Sequence, residues 1–197
     1  NVTGQVNTTS INAQSFSGTT LSGGGSVTIA GTTPAVTVNL GAISRATNTF
    51  GTLNVTLVSP GVVNTTSVNN AAGILGGHVT VGAADWGTVN ASGNIVAAAA
   101  GTTLPAGGVA ADANGNYLLT AGQTQTALSV INSLKITGTT TLTMGSFGIT
   151  FTGANGGLLT TGTTIISGTG VLSAGTGNEL LIYNAGGLTI NTTIGGG

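Results

Sequence analysis

Apolar and polar residues alternate in short runs along the whole chain. The clearest runs are Val36/Val38/Leu40, Leu53/Val55/Leu57, Ile149/Phe151 and Leu188/Ile190. An apolar residue at every second position is typical of a β-strand that buries one face. Clusters of Gly, Asn and Thr separate the runs and favour tight turns. The sequence therefore predicts an all-β fold in which short strands meet at glycine-rich corners.

The strand pattern becomes regular from Leu134 onward. Eight strand centres are expected in this part, near Lys135, Thr143, Thr150, Leu158, Ile165, Val171, Leu181 and Thr189. Such spacing also fits an antiparallel sandwich, but short strands of nearly uniform composition favour a coil with about three strands per rung. A rung then takes about 22 residues, and about seven to nine stacked rungs make a rod about 35 to 45 Å long.

We expect one β-solenoid unit over residues 1–197, divided into three parts. N-terminal rungs occupy 1–59, irregular rungs and a loop occupy 60–132, and regular C-terminal rungs occupy 133–197. The strand signal is weak between Pro60 and Thr126, where an Ala-rich stretch contains Pro105. Between Thr124 and Leu134 the residues fit either one short helical turn or another strand.

Charge is scarce along this chain. Only five residues carry a formal charge, and there is no cysteine, whereas a globular domain of ordinary composition is about one-quarter charged. Because no cluster of Lys and Arg is present to neutralise a phosphate backbone, we expect no nucleic-acid partner. No stretch reaches the roughly 20 continuous apolar residues of a membrane helix, so we also expect no transmembrane span.

The carboxylates and the single histidine do not form a recognisable catalytic pattern. Asp112 and Glu179 are about three rungs apart, roughly 14 Å, which exceeds the spacing of a glycosidase carboxylate pair. Two arrangements stay open, a pair of Asp85 with Asp112 and a Ser-His-Asp triad using His78, although no Gly-x-Ser-x-Gly elbow is present. The other role for His78 is a strand residue that packs or faces solvent. We predict no catalytic, cofactor-binding or metal-binding residues.

Structural roles are expected for the other charged residues and for the single tryptophan. Asp85 is expected to cap a turn, and Trp86 to cover the edge of the core. Arg45, Lys135 and Glu179 lie in or beside strand-like segments, where outward charges discourage wrong edge pairing. We therefore expect these three side chains to be solvated.

Several blocks of the sequence resemble, in the same order, those of one protein family. The blocks are Gly73-Ile-Leu-Gly-Gly-His-Val-Thr-Val-Gly82, Ala84-Asp-Trp86, Gly93-Asn-Ile-Val96, Asn132-Ser-Leu-Lys135, Leu142-Thr-Met-Gly145, Gly148-Ile-Thr-Phe151, Ile165-Ile-Ser-Gly168, Leu172 to Tyr183 and Leu188-Thr-Ile-Asn-Thr-Thr-Ile194. They resemble the bacterial autotransporter-associated β-strand repeat family over roughly Leu40 to Ile194. The resemblance implies a right-handed parallel β-helix without catalytic residues, in a secreted or surface-displayed protein. Since the passengers of that family are longer, we expect either an excerpt of one or a compact relative.

These observations predict a non-enzymatic, extracellular structural protein of the bacterial cell surface. It would be a β-solenoid segment of a surface passenger, or a fibre subunit that stacks through exposed strand edges, and its partners would be copies of itself or adjacent repeats. The alternative is a polysaccharide- or surface-binding adhesin that uses Thr, Asn and Ser ladders on one solenoid face. Thr139 to Thr143 and Thr160 to Thr164 are the candidate ladder, because they are Thr-dense and about one rung apart.

Overall fold

The computed structural model describes residues 12–29, 35–47, 49–58, 60–152 and 156–196. These residues form twenty β-strands and no helix, and parallel strands stack into a β-solenoid of about seven turns. The prediction of an all-β solenoid is confirmed. The first eleven residues of the expected N-terminal rungs lie outside the described ranges.

Eight short strands build a first coil: β1 (Asn12–Ser15), β2 (Gly18–Leu21), β3 (Gly24–Ile29), β4 (Val36–Asn39), β5 (Ala42–Arg45), β6 (Thr52–Leu57), β7 (Val62–Asn64) and β8 (Val79–Val81). They stack in three parallel rows, β1-β4-β7, β2-β5 and β3-β6-β8. One turn takes 24 residues where it is most regular, since Ser15 lies beside Asn39 and Thr20 beside Ser44. Three rows correspond to the three strands expected per rung.

An antiparallel hairpin ends the first coil. Strand β8 is followed by β9 (Asp85–Val89) and β10 (Ile95–Ala97), and these three strands pair in antiparallel order. The β8–β9 turn contains Gly82 and Ala83 in left-handed conformations, with φ of 62° and 56°. The Ala83 N–H donates to Asn54 Oδ1 at 2.7 Å, which holds the turn against β6. The hairpin thus stops the parallel stacking of this coil.

Ten further strands build a second coil: β11 (Thr102–Thr103), β12 (Val109–Leu119), β13 (Gln123–Thr124), β14 (Ser129–Ile136), β15 (Thr140–Thr143), β16 (Ile149–Phe151), β17 (Gly157–Thr160), β18 (Thr163–Ala174), β19 (Leu181–Asn184) and β20 (Gly187–Gly195). All of their pairings are parallel. A turn again takes 24 residues in the regular part, where Thr160 lies beside Asn184. The predicted rung of about 22 residues is close to this value.

The strand predictions for the regular part are confirmed. All eight predicted centres lie in β14 to β20, and Ile165 and Val171 share the long strand β18. The helical alternative for residues 124–134 is wrong, because most of this segment forms β14, which pairs with β12 on one side and β16 on the other. The irregular middle is also present, since the register of β12 against β14 shifts twice.

Each coil encloses its own apolar core of stacked aliphatic side chains. Leu53, Val55 and Val63 are among the buried residues of the first core. The second core is larger and includes fully buried Leu134 and Phe151. Successive turns place apolar residues above one another, because parallel strands in register point their side chains to the same side.

The two coils lie side by side and run in opposite directions. Asp85, in the hairpin that ends the first coil, contacts Lys135 in an early turn of the second. Arg45, one turn nearer the start of the first coil, contacts Glu179 in a late turn of the second. A single continuous stack would place Arg45 and Glu179 several turns apart. The rod of about 35 to 45 Å is therefore wrong in length, because the seven turns are shared between two stacks.

Candidate functional site: the seam between the coils and the open end

Two ion pairs hold the seam, the surface along which the coils meet. Arg45 at the end of β5 pairs with Glu179 just before β19, and Asp85 at the start of β9 pairs with Lys135 in β14. These four side chains are only 17% to 33% exposed. The expectation that Arg45, Lys135 and Glu179 are solvated is wrong, as is the expectation that Asp85 mainly caps a turn. Their ion pairs instead join the two coils.

The fifth charged residue, Asp112, also makes a structural contact. Asp112 in β12 accepts a hydrogen bond from the hydroxyl of Tyr117 at 2.9 Å. Burial, together with this hydrogen bond and the nearby carboxylate charge, raises the pKa of Tyr117 above its ordinary value. The carboxylates that the sequence left open as a pair, Asp85 and Asp112, thus contact Lys135 and Tyr117 respectively.

The centre of the seam is apolar. Ile74, Trp86 and Leu159 are buried together, and Tyr183 packs against them with its ring edge-on to Trp86 at a centroid distance of 6.0 Å. A Cβ on Gly157 would lie 2.8 Å from the Trp86 ring, so the indole fits against a bare backbone. Trp86 is 4% exposed and, rather than covering the edge of one core, fills the space between two. Burial raises the pKa of Tyr183 to about 12.

Neutral hydrogen bonds extend the seam toward the start of the second coil. The Asn116 side-chain amide donates to the Ala72 carbonyl of the first coil at 2.7 Å. Its Oδ1 accepts from Asn132 Nδ2 and from Ser133 Oγ, both at 2.7 Å. Both of these donors belong to residues that are buried. Because buried amides are costly to leave unpaired, this network fixes how the coils are placed.

His78 is a buried residue close to the seam and does not form the triad left open by the sequence. It is 8% exposed, and its Nδ1 has no hydrogen-bond partner among the described residues. Burial lowers the pKa of His78 to about 4, assisted by Arg45 and opposed by Glu179. Asp85, the aspartate near it in sequence, pairs with Lys135 instead. His78 is thus a neutral packing residue at physiological pH.

The last turn of the second coil, which we call the open end, leaves its interior uncovered. Ile182 and Ile194 are 38% and 53% exposed, although Leu158 and Leu172, beside them in the previous turn, are fully buried. Ile190 packs on the same core and is only partly buried. Among the described strands, β20 pairs with β18 alone and β19 with β17 alone. Backbone hydrogen-bonding groups and apolar side chains are therefore exposed together.

The opposite end of the second coil is closed. Leu104, just after β11, is fully buried, and its N–H donates to the Leu118 carbonyl at 2.9 Å. Strand β11 has only two residues, and β12 carries the register shifts. Short and bulged strands protect a sheet edge from pairing with other chains. By contrast, β20 is nine residues long and contains neither charge nor proline.

The candidate threonine ladder does not present a continuous hydroxyl surface. Thr140 and Thr164 stack in register, but both are buried, as is Thr160. The neighbouring outward row places Ile165 between Thr141 and Thr189. Local sequence pattern does not predict the seam, because its ion pairs join residues far apart in the chain. One sequence feature does set three seam residues apart. Trp86, Asp85 and Lys135 occur in blocks that stand out from the repetitive composition.

Comparison with known protein families, with curated proteins and with solved structures found no match to this chain. In the part of the chain that the structure describes, no three His, Cys, Asp or Glu residues are grouped so that they could hold a metal ion. Those same ranges contain no helix of the length and apolarity needed to cross a membrane.

Proposed function

We propose that this chain is a non-enzymatic structural module of the bacterial cell surface whose open end stacks on another β-solenoid rung. The observation that carries the proposal is the contrast between successive turns, in which Leu172 is fully buried and Ile194, beside it, is 53% exposed. In a longer passenger the covering rung belongs to an adjacent repeat. When the chain is alone, a second copy supplies it.

Both kinds of exposed group, the apolar side chains and the backbone, favour stacking. Fully burying a Leu or Ile side chain is worth about 1.5–3 kcal/mol, so covering half of Ile194 contributes on the order of 1 kcal/mol per copy. The outer edge of β20 adds main-chain hydrogen bonds, which is how added strands bind a sheet. Because the other end of the second coil is closed, stacking between two second coils joins open end to open end and yields pairs of molecules.

The charge distribution supports a structural function. Four of the five charged residues pair across the seam and the fifth contacts Tyr117, so the ionic groups hold the fold together. The resemblance to autotransporter-associated repeats supports the extracellular location. In that setting a module of two clamped coils displays or spaces other segments, and a sealed end limits unwanted growth.

Light scattering coupled to size-exclusion chromatography, at micromolar to millimolar concentration, tests the proposal. The wild-type chain should shift toward a dimer as concentration rises. Ile194→Asp should remain monomeric, because it places a charge on the stacking surface without disturbing a fully buried side chain. The matched control is Val68→Asp, since Val68 is 84% exposed on the first coil, and it should dimerise normally. A monomeric wild type, or equal association of all three proteins, would overturn the proposal.

A further inference from the structure

A cleft lies where two loops of the seam meet solvent. One wall is formed by Arg45 at the end of β5 together with Thr49 and Phe50, and the other by Asn178 and Glu179 just before β19. Its volume is about 450 Å³, within the range of roughly 300–1,000 Å³ found for small-molecule sites. The cleft exists only because the coils lie side by side, since each coil supplies one wall.

The walls of the cleft are held in place by hydrogen bonds. Arg45 donates from Nε to the Gly51 carbonyl at 2.9 Å and from Nη2 to the Thr49 carbonyl at 3.0 Å. The same guanidinium pairs with Glu179 across the cleft. On the opposite wall, Asn178 Nδ2 donates to the Thr152 carbonyl at 3.3 Å. The charged and amide groups are therefore oriented before any ligand arrives, which lowers the cost of binding.

Phe50 is the exposed apolar surface of the cleft. Its side chain is 75% exposed, in a chain that has only seven aromatic residues, four Phe, two Tyr and one Trp. Trp86 and Tyr183 pack in the seam, and Phe151 is fully buried. An exposed aromatic ring beside oriented polar groups offers a ligand one apolar and one polar contact surface.

The chemistry of the cleft selects its ligand class. The carboxylate of Glu179 is balanced by Arg45, so neither a cation nor an anion finds an unopposed charge there. A wholly apolar ligand would cover the Asn178 amide oxygen and the Arg45–Glu179 ion pair without offering a hydrogen bond to either. A neutral sugar satisfies both surfaces, because its C–H face packs on the Phe50 ring. Sugar hydroxyls are hydrogen-bond donors, so they complement an amide oxygen and a carboxylate.

We propose that this cleft binds a hexose unit of a neutral polysaccharide, stacked on Phe50 and hydrogen-bonded to Asn178 and Glu179. The cleft is open to solvent on the surface of the seam, so a longer glycan extends beyond it in either direction. This activity adds to the structural function and does not rest on it. The sugar binds in the cleft at the seam, whereas stacking uses the open end.

Isothermal titration with cello-, malto- and chitohexaose, and with a hyaluronan hexasaccharide as an acidic probe, tests the assignment. At least one neutral hexasaccharide should bind the wild-type chain, and Phe50→Ala should weaken that binding about tenfold or more, the loss of one stacking contact. Phe50→Tyr should retain it. Val68→Ala, a change at another exposed apolar residue, should leave it unaltered.

Three results would overturn the assignment: no binding of any neutral probe at millimolar concentration, equal binding by Phe50→Ala and the wild type, or binding of the acidic probe alone. Because Phe50 is highly exposed, its replacement leaves the fold intact, and a normal unfolding curve for Phe50→Ala verifies this. Failure here is distinguishable from failure of the stacking proposal, since Phe50→Ala should dimerise normally and Ile194→Asp should bind sugar normally.

Discussion

Glycines at one corner of the second coil form a column that sets the spacing of its turns. Gly138, Gly162 and Gly186 stand above one another, one turn apart. A Cβ on Gly162 would lie 2.6 Å from the Gly138 carbonyl carbon and 2.8 Å from its Cα. Both contacts are with backbone, so no side-chain rotation relieves them. Gly162→Ala must therefore push two turns apart and weaken the strand pairing on either side.

The expected loss of stability in Gly162→Ala follows from two opposing free-energy terms. Overpacking a tightly packed site costs about 1–3 kcal/mol, and a backbone clash lies at the upper end of that range. Removing a glycine restricts the unfolded chain and returns about 0.4–1 kcal/mol. The net destabilisation of Gly162→Ala is therefore about 2 kcal/mol. For a chain of this size that corresponds to a Tm about 4–8 °C lower.

Urea unfolding followed by circular dichroism measures this effect, with Gly187→Ala as the matched control. Gly187 begins β20, and a Cβ there meets only Thr163 side-chain atoms at 3.9 and 4.0 Å. Its replacement should change the free energy of unfolding by less than about 0.5 kcal/mol. If Gly162→Ala were as stable as Gly187→Ala, the turns would not be stacked at the close spacing described, and the solenoid register would be wrong at this corner.

The other predictions concern the seam and the buried histidine. Trp86→Ala should cost about 3–5 kcal/mol, as for other buried aromatic residues; a loss below about 1 kcal/mol would mean that the coils do not pack on the indole. A double-mutant cycle of Asp85→Ala and Lys135→Ala should give a coupling energy of about 1 kcal/mol, as expected for a partly exposed pair. Zero coupling would mean that the two side chains do not form an ion pair in solution. His78 has a pKa of about 4 in the folded protein and about 6.5 in the unfolded chain. Its contribution to the free energy of unfolding is therefore fully present above pH 6.5 and falls as the pH drops toward 4. Between pH 7 and pH 5 the free energy of unfolding of the wild type should thus fall by about 2 kcal/mol more than that of His78→Gln. Parallel plots of the free energy of unfolding against pH for the two proteins would contradict the burial of the imidazole.

The local pattern of apolar and polar residues predicts the turns of the solenoid well, because a strand that buries one face has an apolar residue at every second position. The runs at Ile149/Phe151 and Leu188/Ile190 lie in β16 and β20 as expected. The segment 124–134 was ambiguous because its apolar residues fit both periods. Pairing with β12 and β16, which lie elsewhere in the sequence, decides the outcome.

The seam is not predictable from local pattern. Its position depends on where the first coil stops, and the turn that stops it uses Gly82 and Ala83, both with positive φ. An alanine in that conformation is uncommon, so the sequence carries no clear hairpin signal there. Once the coils lie side by side, residues that read as isolated surface charges become ion pairs. The two walls of the Phe50 cleft meet for the same reason.

Hydrogen exchange of the β20 amides, measured at low and at high protein concentration, tests the central claim most directly. About half of these amides point away from β18, because successive residues of a strand alternate in direction. We predict that these outward amides exchange rapidly in dilute solution and become protected at high concentration, while amides of the closed end around Leu104 are unchanged. Protection of the outward β20 amides that does not vary with concentration, or increased protection at the closed end instead, would contradict stacking at the open end.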